Sequence, residues 1–231
     1  MNEQNNRPRK PEFETITLEQ LNKEINERID FIKDEFKGGF DVIKKYQKSV
    51  TVFGSARTLE SETDYILARN LTKRIVEELP EYAVVTGGSF GIMEAANRGA
   101  HEGNGKSVGL NIQLPNEQTV NEYLTESYDF YYFFTRKVCL AFSAEAYIYF
   151  PGGFGTLDEL FELLTLIQTN KVEKRPVILV GKDYWHNLDS FIKENLLANE
   201  KINEEDMDLY TISDDVDEII EIIRKAPIKF S

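Results

Sequence analysis

The sequence is poor in cysteine and histidine, and it has no long apolar run. It contains one cysteine, Cys139, and two histidines. A single cysteine excludes an internal disulfide bond and is typical of proteins from a reducing compartment. No apolar run approaches the roughly 20 residues of a membrane-spanning helix, and the polar residues 1–14 do not resemble a secretory signal. We therefore predict a cytoplasmic protein with no membrane partner.

Positive charge is also scarce. Lysine and arginine together number 27 against 40 aspartate and glutamate residues, which gives a formal net charge of -13. Because proteins that bind nucleic acid neutralise phosphates with surplus basic residues, this composition argues against a nucleic-acid partner. The acidic composition is still compatible with a local basic pocket for one small phosphate ester. His101 and His186 show no metal-ligand spacing, so we predict no metal site.

Short apolar runs alternate with helical patterns through most of the chain. The predicted strands are 49–56, 82–88, 106–114, 128–134, 145–153, 175–181 and 209–213. The predicted helices are 63–79, 91–103, 136–144, 156–170, 188–200 and 215–226. This alternation predicts parallel βαβ units. We therefore expect an α/β fold with a Rossmann-like, doubly wound, mainly parallel sheet and an N-terminal helical extension.

The predicted domain organisation has three parts. Residues 1–16 are polar and predict a flexible arm, and residues 17–47 form the helical extension. Residues 48–231 form one Rossmann-like, nucleotide-binding catalytic domain. The extension carries an apolar stripe, which needs either the chain's own core or a second subunit as a partner. The stripe consists of Leu18, Leu21, Ile25, Ile29 and Ile32.

Three predicted strands end in glycine-bearing turns: "FGSAR" at 53–57, "TGGSFGIME" at 86–94 and "PGGFGTLDE" at 151–159. In a parallel sheet all three lie on one edge. Glycine lets backbone N–H groups approach a ligand, and the following helix N-termini favour an anion. One such turn is equally well explained as a tight connection, but three favour a phosphorylated ligand. None matches the dinucleotide fingerprint or the Walker A motif, which disfavours hydride transfer and ATP hydrolysis.

Charged residues near these turns are the candidates for chemistry. The run from Thr156 to Glu159 has the T-x-x-E pattern of a capping box, and Asp158 has a ready explanation as a dipole-complementing residue of the first turn. Glu159 can cap the helix and still face the ligand, and Glu162 shares that face. Arg136 and Lys137 open a short helix near the same edge. They are either a solvated pair or contacts for a phosphate or leaving group.

Three of these motifs together resemble the LOG family. "PGGFGTLDE" resembles the family's P-G-G-x-G-T-x-x-E signature, "TGGSFGIMEAANRGA" its second glycine loop, and "TRK" its arginine–lysine element. The resemblance covers about residues 49–181, and the extension resembles longer bacterial members. It implies hydrolysis of the N-glycosidic bond of a nucleoside 5′-monophosphate, of the AMP or cytokinin ribotide type, to free base and ribose 5-phosphate. It also implies a homodimer or higher homo-oligomer without metal or organic cofactor.

The resemblance also implies roles for individual residues. Glu159 and Arg136 take the catalytic positions. The expected substrate- and phosphate-binding residues are Gly152, Gly153, Gly155, Thr156, Gly87, Gly88, Met93, Ser55, Lys137 and Glu94. Glu94 stands where many members carry glycine, which leaves the preferred base open.

Cleavage of the bond between C1′ and the base nitrogen builds positive charge on the ribose ring. An ionised carboxylate near C1′ stabilises that charge and activates water, and a place near a helix N-terminus predicts that Glu159 stays ionised. The sequence leaves two alternatives to the hydrolase function open. One is a non-catalytic carrier of a phosphorylated nucleotide-like cofactor, such as a molybdopterin carrier. The other is a metal-dependent phosphotransferase or nucleotide-sugar enzyme.

Overall fold

A computed structural model describes residues 17–114 and 120–228, so the predicted arm at 1–16 lies outside the described residues. The strands form one seven-stranded sheet in the order β4-β3-β2-β1-β5-β6-β7, and every pair is parallel. The strands are β1 Lys48–Phe53, β2 Tyr82–Thr86, β3 Lys106–Ile112, β4 Glu126–Phe130, β5 Ala146–Tyr149, β6 Val177–Leu179 and β7 Thr211–Ile212. This sheet confirms the predicted Rossmann-like α/β fold.

Helices cover both faces of the sheet. They are α1 Leu18–Ile43, α2 Thr63–Glu78, α3 Ile92–Glu102, α4 Phe133–Ala141, α5 Phe154–Gln168, α6 Lys182–Phe191 and α7 Val216–Arg224. One core cluster contains apolar side chains of α2, α3 and α7, and the other contains those of α1, α4, α5 and α6. The central strands are buried on both faces, which explains their continuous apolar sequences.

The strand order reverses between β1 and β5. Strands β2 to β4 lie on one side of β1 and strands β5 to β7 lie on the other. The register pairs Val50 with Ala146 and Phe53 with Tyr149, so β1 and β5 end side by side. Ligands of open α/β sheets bind at such a switch point, outside the carboxyl ends of the strands. The topology therefore makes this edge of the sheet the expected place for a ligand.

Two predicted boundaries are wrong: the end of the fourth strand and the start of the helix that follows it. We predicted a strand to residue 134 and a helix from 136, but β4 ends at Phe130 and α4 begins at Phe133. The carboxylate of Glu35 accepts hydrogen bonds from the N–H groups of Tyr131 and Tyr132, so these two groups are not available to extend β4. That carboxylate is almost 100 residues distant in sequence, so the local pattern carried no sign of it.

Helix α6 also begins earlier than we predicted, at Lys182 and not at 188. Its N-cap, Gly181, has φ +104°, a conformation that favours glycine. The carboxylate of Asp214 accepts from the N–H of Gly181 at 2.6 Å and from that of Lys182 at 3.2 Å. The cap therefore comes from a distant residue, and past residue 191 the helix continues as a π-helical segment, Ile192–Leu197.

Only the second half of α1 packs on the body of the protein. Residues 17–31 are exposed, whereas Glu35, Gly39, Val42 and Ile43 are buried. A β-carbon at Gly39 would lie 2.5 Å from Phe130 Cζ and 2.7 Å from Cys139 Sγ, so glycine is needed for this close approach. The extension thus shares a core with the rest of the chain, and the domain division at residue 47 stays a prediction.

Candidate active site

Three glycine turns meet at the switch point. They follow β1, β2 and β5, as the sequence predicted. The N–H of Ser55 donates to the carbonyl of Pro151 at 3.0 Å, and the N–H of Ile92 donates to the carbonyl of Ser55 at 3.0 Å. Ser55 therefore joins the turn after β5 to the start of α3. The hydrogen bonds make the three turns one continuous surface.

The turn after β2 is crowded at both of its first two glycines, and at Gly88 the backbone conformation itself favours glycine. Gly88 has φ +73°, and a β-carbon there would overlap Asn111 Oδ1. A β-carbon at Gly87 would overlap Nη2 of Arg136 and would lie 2.8 Å from Met93 Sδ. The structure thus brings Gly87, Met93 and Arg136 into contact, three residues that the sequence predicted for one site.

Arg136 lies in the first turns of α4, and its guanidinium is directed inward. Nε donates to the carbonyl of Leu110, at the end of β3, at 2.7 Å. Burial lowers the pKa of the guanidinium, and the negative charge of Glu159 acts in the opposite direction. A partly desolvated guanidinium interacts more strongly with an anion than one in water does. Arg136 is therefore a fixed positive charge at the switch point.

Glu159 lies in the second turn of α5 and is half-buried. Burial raises its pKa to about 7, although Arg136 and Lys137 both lower it. The raised pKa leaves this carboxylate only partly ionised at neutral pH, short of the full ionisation predicted from its place near a helix N-terminus, because desolvation outweighs the nearby positive charges. A carboxylate with a pKa near neutrality is suited to accept and return a proton.

The predicted capping box at the start of α5 is also wrong. The helix begins at Phe154, Gly153 is its N-cap, and no side chain caps it. Thr156 is therefore the third helical residue, where it is buried and packs against Gly152. The first turn contains no acidic residue, so the dipole explanation of Asp158 fails as well. This leaves the first N–H groups of α5 without a side-chain partner.

Lys137 links α4 to α5. Its ammonium lies 2.8 Å from Asp158 and 2.7 Å from Glu162. Burial by itself would lower the pKa of Lys137, but these two carboxylates outweigh it and raise the pKa. Asp158 and Glu162 are thus occupied by an ion pair, and a direct contact between Lys137 and a ligand stays a prediction.

Glu94 lies in the first turn of α3. Its carboxylate accepts a hydrogen bond from the hydroxyl of Tyr65, on α2, at 3.3 Å. The side chain therefore has a protein partner, and a contact between Glu94 and a base or ribose stays a prediction.

A buried network that the sequence did not suggest supports the second glycine turn. Oδ1 of Asn97, on α3, accepts from the Thr86 hydroxyl at 2.7 Å and from the Asn121 side chain at 2.9 Å. The Thr86 hydroxyl accepts from the N–H of Gly88 at 2.9 Å. Asn121 also donates to the carbonyl of Ser89 at 3.0 Å. The only sign in the sequence is a polar residue, Asn97, on the apolar face of a helix.

Two tyrosines that support the candidate site were also not predicted from the sequence. The hydroxyl of Tyr184, on α6, donates to the carbonyl of Gly152 at 2.6 Å. The hydroxyl of Tyr149, at the end of β5, donates to the carbonyl of Glu159 at 3.2 Å. Both hold backbone of the candidate site in place. Neither belongs to a motif, because each contact depends on how distant elements pack.

Across residues 17–114 and 120–228, no group of three histidine, cysteine, aspartate or glutamate side chains is placed to hold a metal ion. In the same residues, no helix is long and apolar enough to cross a membrane.

A family model described as "Possible lysine decarboxylase" matches residues 93–223, more than half of the chain. The chain belongs to this family, the LOG family. A decarboxylase reading of that description finds no support in the sequence, which shows no lysine in a recognisable pyridoxal-phosphate setting.

Curated relatives of this LOG-family chain are named as nucleotide hydrolases. A probable cytokinin riboside 5′-monophosphate phosphoribohydrolase of Oryza sativa subsp. japonica is 34% identical over 148 residues, which cover 63% of this chain and 59% of the relative. A cytokinin riboside 5′-monophosphate phosphoribohydrolase of Arabidopsis thaliana is 30% identical over 164 residues, which cover 68% and 73%. The chain thus spans less than two thirds of the length of the rice relative.

The fold is shared more widely than the sequence. The molybdenum cofactor carrier protein of Chlamydomonas reinhardtii superposes with a TM-score of 0.56 at 22% identity, over 78% of this chain and 98% of the carrier. At this identity the likeness concerns the fold alone.

Proposed function

We propose that this protein hydrolyses the N-glycosidic bond of a nucleoside 5′-monophosphate, of the AMP or prenylated AMP type, to free base and ribose 5-phosphate. One observation carries the proposal: the half-buried Glu159, with a pKa of about 7, lies within electrostatic reach of the buried guanidinium of Arg136, beside three joined glycine turns. The names of the curated relatives support the same reaction. The cytoplasm is the proposed compartment.

The start of α5 is the proposed phosphate site. Gly153 caps this helix without a side chain, so the first N–H groups and the helix dipole are available to an anion. A β-carbon at Gly153 or Gly155 would meet nothing within 4 Å. The fold therefore does not require glycine at these two positions, whereas close approach of a phosphate to the backbone would require it.

The chemistry then follows from the placement of Glu159. As the bond from C1′ to the base breaks, its electron pair goes to the base nitrogen and positive charge develops on the ribose ring. Ionised Glu159 stabilises that charge and takes a proton from the attacking water as the water oxygen bonds to C1′. Protonated Glu159 then returns this proton, which neutralises the departing base nitrogen directly or through solvent. Arg136 keeps the carboxylate partly ionised, because its positive charge lowers the pKa of Glu159.

A product assay tests the proposal. The protein is incubated with AMP, GMP, CMP, UMP and isopentenyladenosine monophosphate, with and without a chelator, and free base is separated by chromatography. We expect release of the adenine-type base that survives the chelator. An intact nucleotide that stays bound without product would favour the carrier alternative. Activity that the chelator abolishes would favour a metal-dependent phosphotransferase.

A homo-oligomer is a further part of this proposal. The first half of α1 exposes four large aliphatic side chains, Leu18, Leu21, Ile25 and Ile29, at 74%, 41%, 45% and 55% of their full area. They continue the face by which the second half of the same helix packs on the body. Residues 1–16 contain few large apolar side chains that could cover this face. We infer that the same segment of a second copy covers it.

An antiparallel pairing about Ile25 fits both the apolar stripe and the length of the exposed segment. In that register Leu18 lies opposite the partner's Ile32 and Leu21 opposite the partner's Ile29, so the stripe of one copy covers that of the other. The helix begins at Leu18 and its first buried residue is Glu35, so the two exposed halves fit side by side before either reaches the partner's body.

Sedimentation velocity tests this pairing. We expect that Ile25→Asp dissociates the assembly, because it places two charges at the centre of an apolar contact. Ile66→Asp is the matched control, since Ile66 is a similarly exposed isoleucine on α2. Lys23→Glu, on the opposite face of α1, should leave the assembly intact. A wild-type monomer, or an assembly that Ile25→Asp leaves intact, would contradict the inference.

A further inference from the structure

Glu35 is a buried carboxylate on the inner face of α1, with 2% of its area exposed. Its oxygens accept from the backbone N–H of Tyr131, from that of Tyr132 at 3.3 Å, and from the hydroxyl of Thr135 at 2.8 Å. A buried charge is tolerated only when hydrogen bonds or opposite charges compensate its lost hydration. Here the compensation comes from one turn of the chain.

That turn is the beginning of α4. Tyr132 is the N-cap of this helix, no side chain of α4 caps it, and its first turn has no acidic residue. The N-terminus of a helix has unpaired N–H groups and a partial positive charge. Glu35 therefore supplies, from a helix distant in sequence, an acceptor for the N–H of the N-cap residue Tyr132 and the negative charge that the first turn of α4 lacks.

Arg136 directly follows the residues that Glu35 holds. Its own N–H donates to the carbonyl of Tyr132 at 3.3 Å, in the first turn of α4. From there its side chain reaches Gly87 and the carbonyl of Leu110. A small rotation or shift of this turn would move the guanidinium relative to Glu159.

We propose that Glu35 is a positioning residue for the reaction: it fixes the first turn of α4 so that Arg136 stays over Gly87 and near Glu159. The inference rests on the proposed function, in which Arg136 and Glu159 act together. It gives the N-terminal helix a part in the chemistry without any contact with the substrate.

The attachment of α1 does not depend on Glu35 alone. Val42 and Ile43 lie in the core, and Gly39 packs closely on Phe130. The hydroxyl of Tyr46, just after α1, donates to Glu126 of β4 at 2.7 Å. Loss of the Glu35 charge should therefore loosen the turn of α4 while α1 stays in place.

The test compares Glu35→Gln with Asp34→Asn, an exposed neighbour that loses the same charge. We expect kcat of Glu35→Gln to fall about 10- to 100-fold, because a displacement of about 1 Å can have that effect. KM and the affinity for ribose 5-phosphate should change less than about threefold, since α5 holds the phosphate. The pH at which activity is half-maximal should rise, because a displaced Arg136 no longer lowers the pKa of Glu159 as strongly.

Asp34→Asn should match the wild type in kcat, KM, the affinity for ribose 5-phosphate and the pH of half-maximal activity. If Glu35→Gln does not fold, Thr135→Val, which removes only the hydroxyl donor, should shift the pH dependence in the same direction by a smaller amount. Unchanged kcat in folded Glu35→Gln, or a loss of kcat with an unshifted pH dependence, would overturn the proposal.

A second readout separates this inference from the proposed function. The carboxyl ¹³C resonance of Glu159 is identified by its absence from the Glu159→Gln variant, and its titration reports the pKa directly. We expect Glu35→Gln to raise that pKa even if no nucleotide is hydrolysed. An inactive wild type would overturn the proposed function, whereas an unmoved pKa would overturn the positioning role of Glu35.

Discussion

Replacing Glu159 with glutamine lowers turnover by about 100-fold or more and leaves nucleotide affinity nearly unchanged, because glutamine keeps the shape of the side chain but can neither carry the charge nor accept the proton. Single-turnover release of free base gives the rate, and calorimetric titration with the substrate gives the affinity. Glu162→Gln, one turn along α5, is the control. We expect its turnover within about threefold of the wild type. Wild-type turnover in Glu159→Gln would refute the assignment.

The pH dependence of activity and of stability provides a second test of the role of Glu159. In the wild type, activity should fall as the pH is lowered through about 7, where Glu159 becomes protonated. Because the folded-state pKa is raised above the unfolded value, folding binds a proton more tightly, and the stability that this group contributes is lost as the pH rises towards 7.

In Glu159→Gln, the loss of stability between pH 4.5 and about 7 should be absent. At pH 8 the variant should be more stable than the wild type by on the order of 1–3 kcal/mol. Below about pH 4.5, where the carboxyl is protonated in both the folded and the unfolded state, the difference should vanish. Thermal unfolding at both pH values measures it. A variant that loses activity and also loses stability at pH 8 would show that Glu159 is structural.

Arg136→Met should lower kcat/KM by about 100-fold or more, because it removes the positive charge that Arg136 holds in a partly desolvated position near Glu159. Its cost in stability should be about 1–3 kcal/mol, because the carbonyl of Leu110 loses the hydrogen bond from Nε. Arg136→Lys should not restore activity, because lysine lacks the Nε–H that donates to Leu110. Steady-state kinetics and thermal unfolding separate the two effects. Arg28→Met, an exposed arginine on α1, is the control.

Gly87→Ala tests the position of Arg136 and not only its charge. The added methyl group would overlap Nη2 of Arg136, the mobile end of a long side chain. We therefore expect the guanidinium to move and activity to fall about 10-fold or more, with little change in the unfolding temperature. Full activity in Gly87→Ala would contradict the placement of Arg136 over this glycine.

Much of the fold was predictable from local patterns. Continuous apolar runs such as "AYIYF" and "VILVG" indicated strands buried on both faces, and the helical periods between them required parallel connections. The meeting of the glycine turns at one edge followed from that topology. The starts of α4, α5 and α6 were not predictable in the same way. Distant carboxylates, Glu35 and Asp214, hold the starts of α4 and α6, and a glycine without a side chain caps α5.

The sequence by itself therefore determined the class of fold, the edge of the sheet that carries the candidate site, and the identity of Glu159 and Arg136 as candidates. The tertiary structure alone decided the raised pKa of Glu159 and the placement of Arg136. A pKa depends on the water excluded and on the charges brought near in space, and neither quantity is written in a local motif. The contact between Glu35 and the start of α4 likewise exists only once α1 has packed on the body.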